Sequence, residues 1–568
     1  MSKKTSKSSR TVLAHVRYQS SQSDTLILEV PQIGGDTLKF EFAMSALANK
    51  NSVKRELLSR GVPTRQVDQV ADNVLKGEPE IQIVISRAVG WNDKYGRYVL
   101  PNKTIEVEGI YIAADDPLAA YQRVEQKGEQ SPDSQSWQRS LKAPVSRSRY
   151  LVLALAAGFA APLMKFAGIS ESVVFNLVGR SGCGKTLTSR VAASVGGASA
   201  RADFTSWQDS PRAIAEAAQL YNDRVLVIDD FMRGESNARR RFDRLNEIGR
   251  MLPDGRSRAV TRVLSESGLD TLTWRAICIT SSEFPSAQIA LDAKRHREDG
   301  HRARFIDIPV PARTEGGVFD RLRSGDDSNE LAARLEATLD HQEGLPLEEW
   351  VAWLEKNQDD LGNRITKGIR RYLAKSKNLV GLEYRIATKF ALLAVAAKLA
   401  FEAGLTPWQD PKKAIAAIRA LMEEALAFDP GRDRLFHNVA PRILQEIAPV
   451  KNEGGITNGE ITALVDHCPA GGRVFLNPEN ELPLQCRSFL MIAEQEGARI
   501  FATNGRTNPE RTIEKGGSRL RLPCIKLSWL EEGSASNDNT RRDAATSRTK
   551  PKVIKERKVV RRRRQRRS

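Results

Sequence analysis

The sequence lacks paired cysteines. Its five, Cys183, Cys278, Cys468, Cys486 and Cys524, form no CxxC pair and show no spacing typical of zinc ligands, which argues against a disulfide scaffold or a structural zinc site and fits reduced thiols in a cytoplasmic setting. His467 beside Cys468 has no second pair to complete a metal site. Long apolar runs are missing too. The most apolar stretch, Tyr150 to Met164, is 15 residues, short of the ~20 that a bilayer-crossing helix needs, and it reads as a buried helix. The N-terminal MSKKTSKSSR is basic but has no apolar segment of the kind a secretory signal requires, so neither export nor membrane association is expected.

The chain also has little net charge outside its ends. The total is +18, but residues 541–568 hold 14 Lys and Arg against Asp543 and Glu556, so twelve of those charges sit in the last 28 residues. Lys3, Lys4, Lys7 and Arg10 supply four more, leaving a nearly neutral body. A tail that includes Arg561, Arg562, Arg563 and Arg564 reads as a phosphate-binding arm, with a solubilising or partner-binding extension as the alternative.

What is present is enough apolar material for several packed units. At 568 residues and 40% hydrophobic content, the chain exceeds what one core supports, and three or four units are expected. Residues 1–22 read as a disordered basic terminus and 23–145 as a small mixed α/β domain. Residues 146–312 show the strand, loop, helix alternation of a parallel-sheet α/β core, and 313–430 a helical domain. Residues 431–530 read as a C-terminal α+β domain, either a winged helix or a generic small fold, with Asn458–His467 and Leu484–Gln495 helical and Arg473–Leu476, Ala498–Phe501 and Leu520–Leu527 as strands. Residues 531–568 read as a disordered basic tail. The fold class is therefore multidomain α/β around a P-loop nucleoside-triphosphatase core. In the first of these domains, Gly90-Trp91 and Tyr98-Val99-Leu100-Pro101 form a hairpin-like segment whose aromatics could stack on bases or pack inside; packing is the preferred reading.

The strongest motif is Gly179-Arg180-Ser181-Gly182-Cys183-Gly184-Lys185-Thr186. It follows the apolar run Val173–Val178 and opens a helix, the context a P-loop requires. The glycines let backbone N–H groups turn onto phosphates, and the helix N-terminus adds its positive end. Lys185 would reach the β- and γ-phosphates of ATP, and Thr186 would hold Mg²⁺. About forty residues on, Arg224-Val225-Leu226-Val227-Ile228-Asp229-Asp230 is a second buried strand ending in carboxylates. Asp229 is assigned to Mg²⁺, usually through water, and Asp230 to polarising the attacking water.

A third strand, Ala276–Thr280, leads into Thr280-Ser281-Ser282-Glu283. Ser281 is assigned to sensing the γ-phosphate, with a helix-capping hydroxyl as the alternative. Arg302 and Arg304 precede a fourth strand, Phe305–Val310, where Arg304 could act as an arginine finger on a neighbour's nucleotide, form a structural ion pair or contact DNA. Between the second and third strands, Gly255-Arg256-Ser257-Arg258-Ala259-Val260-Thr261-Arg262 reads as a projecting hairpin or loop. Arg256, Arg258 and Arg262 could track a phosphate backbone or simply form a solvated face.

With these residues laid out, the chain resembles the bacterial and phage family of domain of unknown function 927, a P-loop module of mobile-element replication proteins. The resemblance runs from Gly90-Trp91 and Val99-Leu100-Pro101 through the P-loop and Arg190-Val191-Ala192-Ala193-Ser194-Val195 to the Asp229 strand. It continues through Thr280-Ser281-Ser282-Glu283, Gly300 with Arg304, and Phe390 to Ala397 leading to Trp408. It implies an AAA+-like oligomeric ATPase, in some relatives a helicase that is attached to a primase or works with one. Where such ATPases usually carry Asp-Glu, this chain has Asp229-Asp230, a base one methylene shorter. No primase-like acidic cluster lies upstream, so any primer synthesis would come from another protein.

The function expected is a ring-forming ATP-dependent motor on nucleic acid, single-stranded DNA above all. The alternative is a nucleotide-gated DNA-binding assembly protein without unwinding activity.

Overall fold

The computed structural model describes residues 11–19, 23–126, 134–197, 200, 204–229, 231, 235–257, 271–293, 295, 299–340, 346–376, 379–428, 447–449, 463–466, 473–476, 511–515, 518–522 and 524–528. It divides into two compact units, Met1–Phe428 and Asp429–Ser568.

The first unit begins with a strand where the sequence suggested disorder. Strand β1, Val12–Tyr18, is central in a six-stranded sheet of order β3-β2-β1-β4-β8-β7. The others are β2 (Thr25–Pro31), β3 (Thr37–Ala43), β4 (Ile81–Ile85), β7 (Ile105–Val107) and β8 (Ile110–Ala113). The assignment of residues 1–22 to a disordered terminus is thus corrected over Val12–Tyr18. Val12, Ala14 and Val16 are buried while Leu13, His15 and Arg17, which alternate with them, are not. Those interleaved charges and the Ser- and Lys-rich flank hide a period-two strand. Helices α1 (Lys50–Ser59) and α2 (Val67–Lys76) cover one face of the sheet and α3 (Pro117–Gln126) the other.

The hairpin of β5 (Gly90–Asn92) and β6 (Arg97–Val99) pairs Trp91 with Tyr98, and both rings are buried. Trp91 meets Tyr98 edge-on at 5.3 Å and Phe166 at 4.9 Å. Its indole N–H donates to Pro162 O at 2.9 Å, and its backbone N–H to Asp223 Oδ2 at 3.0 Å. The packing reading holds. The partner is the turn ahead of the Asp229 strand. Asp223 there has a left-handed φ of 54° and takes Arg275 Nε on Oδ1 at 2.7 Å. Burial pushes its carboxyl up despite Arg275 and the Trp91 N–H. Trp91→Ala should lower the unfolding free energy by about 3–5 kcal/mol, the usual cost of deleting a large buried aromatic. Denaturant unfolding reads this directly, and wild-type stability in the variant would contradict the packing role.

The nucleotide core is a five-stranded sheet of order β10-β11-β12-β9-β13, parallel throughout. Its strands are β9 (Val173–Val178), β10 (Thr205–Ser206), β11 (Val225–Asp229), β12 (Ile277–Ser282) and β13 (Phe305–Pro309). Counted along the chain within this sheet, the order is fifth-first-fourth-third-second. The first strand lies between the fourth and fifth, so β12 separates the P-loop strand from the Asp229 strand. Helices α5 (Arg149–Ala160), α6 (Lys185–Ser194), α7 (Pro211–Leu220) and α8 (Ala238–Asp254) flank it. Residues 150–160 of α5 are all buried, as the apolar run implied.

Four further helices follow: α9 (Ser328–Asp340), α10 (Pro346–Leu373), α11 (Gly381–Glu402) and α12 (Pro411–Ala427). They do not form a core of their own. Phe390 of α11 packs on Phe175 of β9 at 5.4 Å, and one apolar cluster joins α5, α6 and the sheet to α9 through α12. The helical domain predicted for 313–430 is therefore one layer of the nucleotide core.

In the second unit, β14 (Ile447–Pro449), β15 (Ala463–Asp466), β16 (Arg473–Leu476) and β19 (Cys524–Lys526) form a sheet in that order, and β17 (Arg511–Lys515) pairs with β18 (Ser518–Leu522). The strand at Arg473–Leu476 is as predicted. The helix expected over Asn458–His467 is replaced by β15 at Ala463–Asp466, because a short apolar run fits either period and pairing with β14 and β16 decides it. The strand expected over Leu520–Leu527 is split between β18 and β19. The predicted helix Leu484–Gln495 and strand Ala498–Phe501 lie outside the described residues.

Candidate nucleotide site and nucleic-acid interface

Strand β9 is buried along its length, as suits a parallel strand covered on both faces. Its one polar residue, Asn176, donates to Ser282 Oγ of β12 at 2.9 Å and to Asp307 Oδ1 of β13 at 2.7 Å. This polar rung ties the three strands together just below their C-terminal ends, where the loops carry the chemistry.

The loop after β9 takes the conformation its glycines permit. Gly182 and Gly184 have φ of 78° and 94°, and Gly184 caps α6, so successive N–H groups can face one anion. A Cβ on Gly184 would stand 2.4 Å from Val318 Cγ2. Lys185, at the first position of α6, is buried and donates to Gly179 O at 2.7 Å and Arg180 O at 2.9 Å. Thr186 beside it is half-buried.

A segment that the sequence reading did not use closes the loop from the other side. After β13, Val318 donates its N–H to Cys183 O at 2.9 Å. Gly317, at φ 59°, comes so close that a Cβ there would stand 2.5 Å from that same oxygen. The Gly316-Gly317 pair was its only signal in the sequence. Together these walls enclose a cleft of about 860 Å³, within the range of small-molecule sites. It is lined by residues 181–187 on the floor, Arg313, Gly316 to Phe319, Ser328, Asn329 and Glu336 on one wall, and Phe231, Glu235, Arg241, Glu283 and Phe284 on the other. Arg313 is engaged with Asn329 Oδ1 at 2.7 Å.

Asp229 ends β11, two strand spacings from β9 or roughly 10 Å. Both Thr186 and Asp229 offer the hard oxygen donors Mg²⁺ prefers, and they are the residues that would hold it. Asp230 lies outside the described residues. Ser281 is buried with its hydroxyl unpartnered. Its neighbour Ser282 is the one that lines the cleft, held by Asn176 and by its own bond to Phe284 O at 2.9 Å. Alternation along β12 puts the two hydroxyls on opposite faces. The sequence pattern locates the strand end but not the face that opens to the cleft.

Arg304 sits at the start of β13, the opposite edge of the sheet from the P-loop. Its Nη2 pairs with Glu171 Oε1 at 2.9 Å and its Nη1 with Asp254 Oδ1 at 3.3 Å. Glu171 also faces Arg385 at 3.4 Å and Lys389 at 3.9 Å. Burial works to raise the Glu171 carboxyl, but these cations outweigh it and hold it below its usual range. The structural ion pair named as an alternative for Arg304 is therefore formed.

On the same edge, Gly255 to Ser257 pair with Leu272 to Trp274. Trp274 N–H donates to Gly255 O at 2.9 Å, Ser257 N–H to Leu272 O at 2.9 Å, and Arg256 bridges Thr273. The rest of the segment expected to form a projecting hairpin or loop lies outside the described residues. Arg256 is exposed, while Arg258 and Arg262 lie outside the described residues, as do Arg561 to Arg564 of the tail.

A parallel sheet in this order, with a glycine-shaped loop before a helix and a carboxylate two strands away, defines an α/β protein resembling the AAA-like and helicase folds. The chain carries the domain described as Domain of unknown function (DUF927), matched over residues 5–260. That match begins earlier than the sequence resemblance and ends before β12. Among solved structures the chain is similar to "SCCmec type IV Cch - active helicase", with a TM-score of 0.60 at 15% identity, covering 92% of this chain and 94% of that one. The likeness is one of fold. A second, "The A form apo structure of NrS-1 C terminal region-CTR", has a TM-score of 0.29 at 10% identity, covering 90% and 95%. No curated protein matches. No helix among the described residues is long and apolar enough to cross a membrane.

Proposed function

We propose that this chain is an ATPase that moves along nucleic acid, of helicase or translocase type, serving replication or mobilisation of a phage, plasmid or integrated element. The observation that carries this reading is the division of the sheet into two working edges. The C-terminal edge holds the P-loop, Thr186 and Asp229; the opposite edge carries Arg304 and the exposed Arg256. A motor needs that separation, because the strand must be gripped away from the nucleotide.

In this reading the N–H groups of residues 179–186 and the Lys185 ammonium bind the phosphates of ATP, and Thr186 and Asp229 hold Mg²⁺. The cation neutralises charge on the phosphate oxygens. Asp230 orients the attacking water, and Ser282, which lines the cleft in place of the predicted Ser281, senses the terminal phosphate. The chain assembles with copies of itself, as a ring. Arg304 reaches a neighbour's nucleotide only after leaving Glu171 and Asp254, which hold both of its terminal nitrogens. Arg256, with Arg258, Arg262 and the tail arginines, contacts single-stranded DNA. The fold relative is described as an active helicase, which favours this class. The engagement of Arg304 by Glu171 is what favours the alternative, a nucleotide-gated assembly without unwinding.

Single-stranded DNA should stimulate ATP hydrolysis, and Arg256→Ala should reduce that stimulation several-fold. A sizing measurement with and without nucleotide, run beside it, reads the assembly. Hydrolysis indifferent to DNA would favour the gate over the motor.

A further inference from the structure

Helix α8 begins with three consecutive arginines, and one of them differs from the others. The Asn237 side chain caps the helix by accepting from Arg239 N at 3.0 Å and Arg240 N at 3.1 Å, which fixes the first turn. Arg239 and Arg240 are exposed. Arg241 is half-buried and lines the nucleotide cleft. Its guanidinium lies 5.7 Å from the centre of the Phe284 ring, and its Nε is buried with no hydrogen-bond partner. The carboxylates of Glu235 and Glu283 line the same cleft, yet among the described residues Arg241 forms an ion pair with neither.

A guanidinium N–H withdrawn from water and left without an acceptor is costly unless an anion completes the group. Its position says which anion. Arg241 follows β11 and Phe284 follows β12, and both line the cleft beside Phe231, two residues beyond Asp229. The opposite wall, from Gly316 to Glu336, meets the P-loop at Cys183 and Gly184. A nucleotide whose phosphates follow the P-loop toward Asp229 presents its terminal phosphate to the Arg241 wall. Arg313, the other arginine lining the cleft, is on the opposite wall and already engaged by Asn329.

We propose that Arg241 binds the γ-phosphate of its own protomer's ATP, with Phe284 as the positioning residue that holds the guanidinium plane. This rests on the reading of the chain as an ATPase. Arginine suits the task because it stays charged and its fork can pair with two phosphate oxygens. In hydrolysis the water oxygen bonds to the γ-phosphorus as the bond to the β–γ bridging oxygen breaks. ADP keeps the electron pair and a water proton goes to the phosphate. Arg241 exchanges no proton; it stabilises charge on the transferring group. The chain therefore distinguishes ATP from ADP through a residue of the same subunit.

The test is nucleotide affinity of the full chain, read with a fluorescent ADP analogue displaced by ADP or by a non-hydrolysable ATP analogue. Arg241→Ala should lower the preference for the ATP analogue about tenfold or more while changing ADP affinity by no more than about threefold. Arg241→Lys should recover part of that preference, because the charge is kept, and Phe284→Ala should fall between wild type and Arg241→Ala. Equal weakening of both nucleotides, or no change in preference in either Arg241 variant, would overturn the proposal. Wild-type protein that binds neither nucleotide would sink the ATPase reading itself, a result distinct from a lost preference.

Discussion

Lys185→Ala should cut ATP hydrolysis by roughly two to three orders of magnitude, the range expected when one preorganised donor to a developing charge is removed. In the structure this ammonium is already directed at the P-loop, bonded to the carbonyls of Gly179 and Arg180 from the first turn of α6. Those are weak claims on a cation compared with a triphosphate, so the side chain is stationed where phosphates would take it over. Alanine keeps the helix start, and the loop's shape is set by Gly182, Gly184 and the Val318 to Cys183 bond. The variant should therefore fold and melt near wild type. Hydrolysis within about threefold of wild type would show that the site has been misplaced.

Asp229→Asn should leave the protein folded and still able to bind nucleotide, but reduce hydrolysis by about a hundredfold or more. Asparagine keeps the size and one carbonyl oxygen while removing the charge that attracts Mg²⁺. The two variants thus fail differently. The lysine variant loses affinity for the phosphates themselves; the asparagine variant loses affinity for the metal. A magnesium titration separates them, since Asp229→Asn should shift the half-saturating concentration upward. An unchanged titration would remove Asp229 from the metal site.

Much of the core was legible in the sequence because parallel strands buried on both faces are uninterrupted apolar runs. Val173–Val178 matches its prediction residue for residue, and the runs ending at Asp229, near Ser282 and at Pro309 are within two residues of theirs. The P-loop was legible for a different reason: only glycine accepts the φ of residues 182 and 184, so the backbone requirement is written in residue type. The opposite wall of the cleft was not legible. Gly317 and Val318 touch Cys183 across more than a hundred residues of chain, and no local period reports such a contact. Arg241 was hidden in the run Arg239-Arg240-Arg241, which in sequence looks like a solvated helix face. Ser281 and Ser282 show the limit of a motif read without a structure. The strand end was found, but which hydroxyl faces the cleft depends on the sheet's neighbours.

The edge opposite the P-loop carries the rest of the motor reading. Its Glu171, Arg304, Arg385 and Lys389 cluster joins the loop before β9, the start of β13 and helix α11. Burial in that cluster draws the Lys389 ammonium below its ordinary value even with Glu171 nearby. Movement of Arg304 toward a neighbour would therefore be felt at once by three segments of the core.

Strand separation measures whether ATP hydrolysis is converted into movement on DNA. Purified chain should displace the labelled strand of a duplex bearing a single-stranded tail when MgATP is supplied. It should not do so with a non-hydrolysable analogue, nor as the Lys185→Ala variant. Binding to the tailed duplex with no displacement under MgATP, at concentrations where hydrolysis is measurable, would contradict the motor.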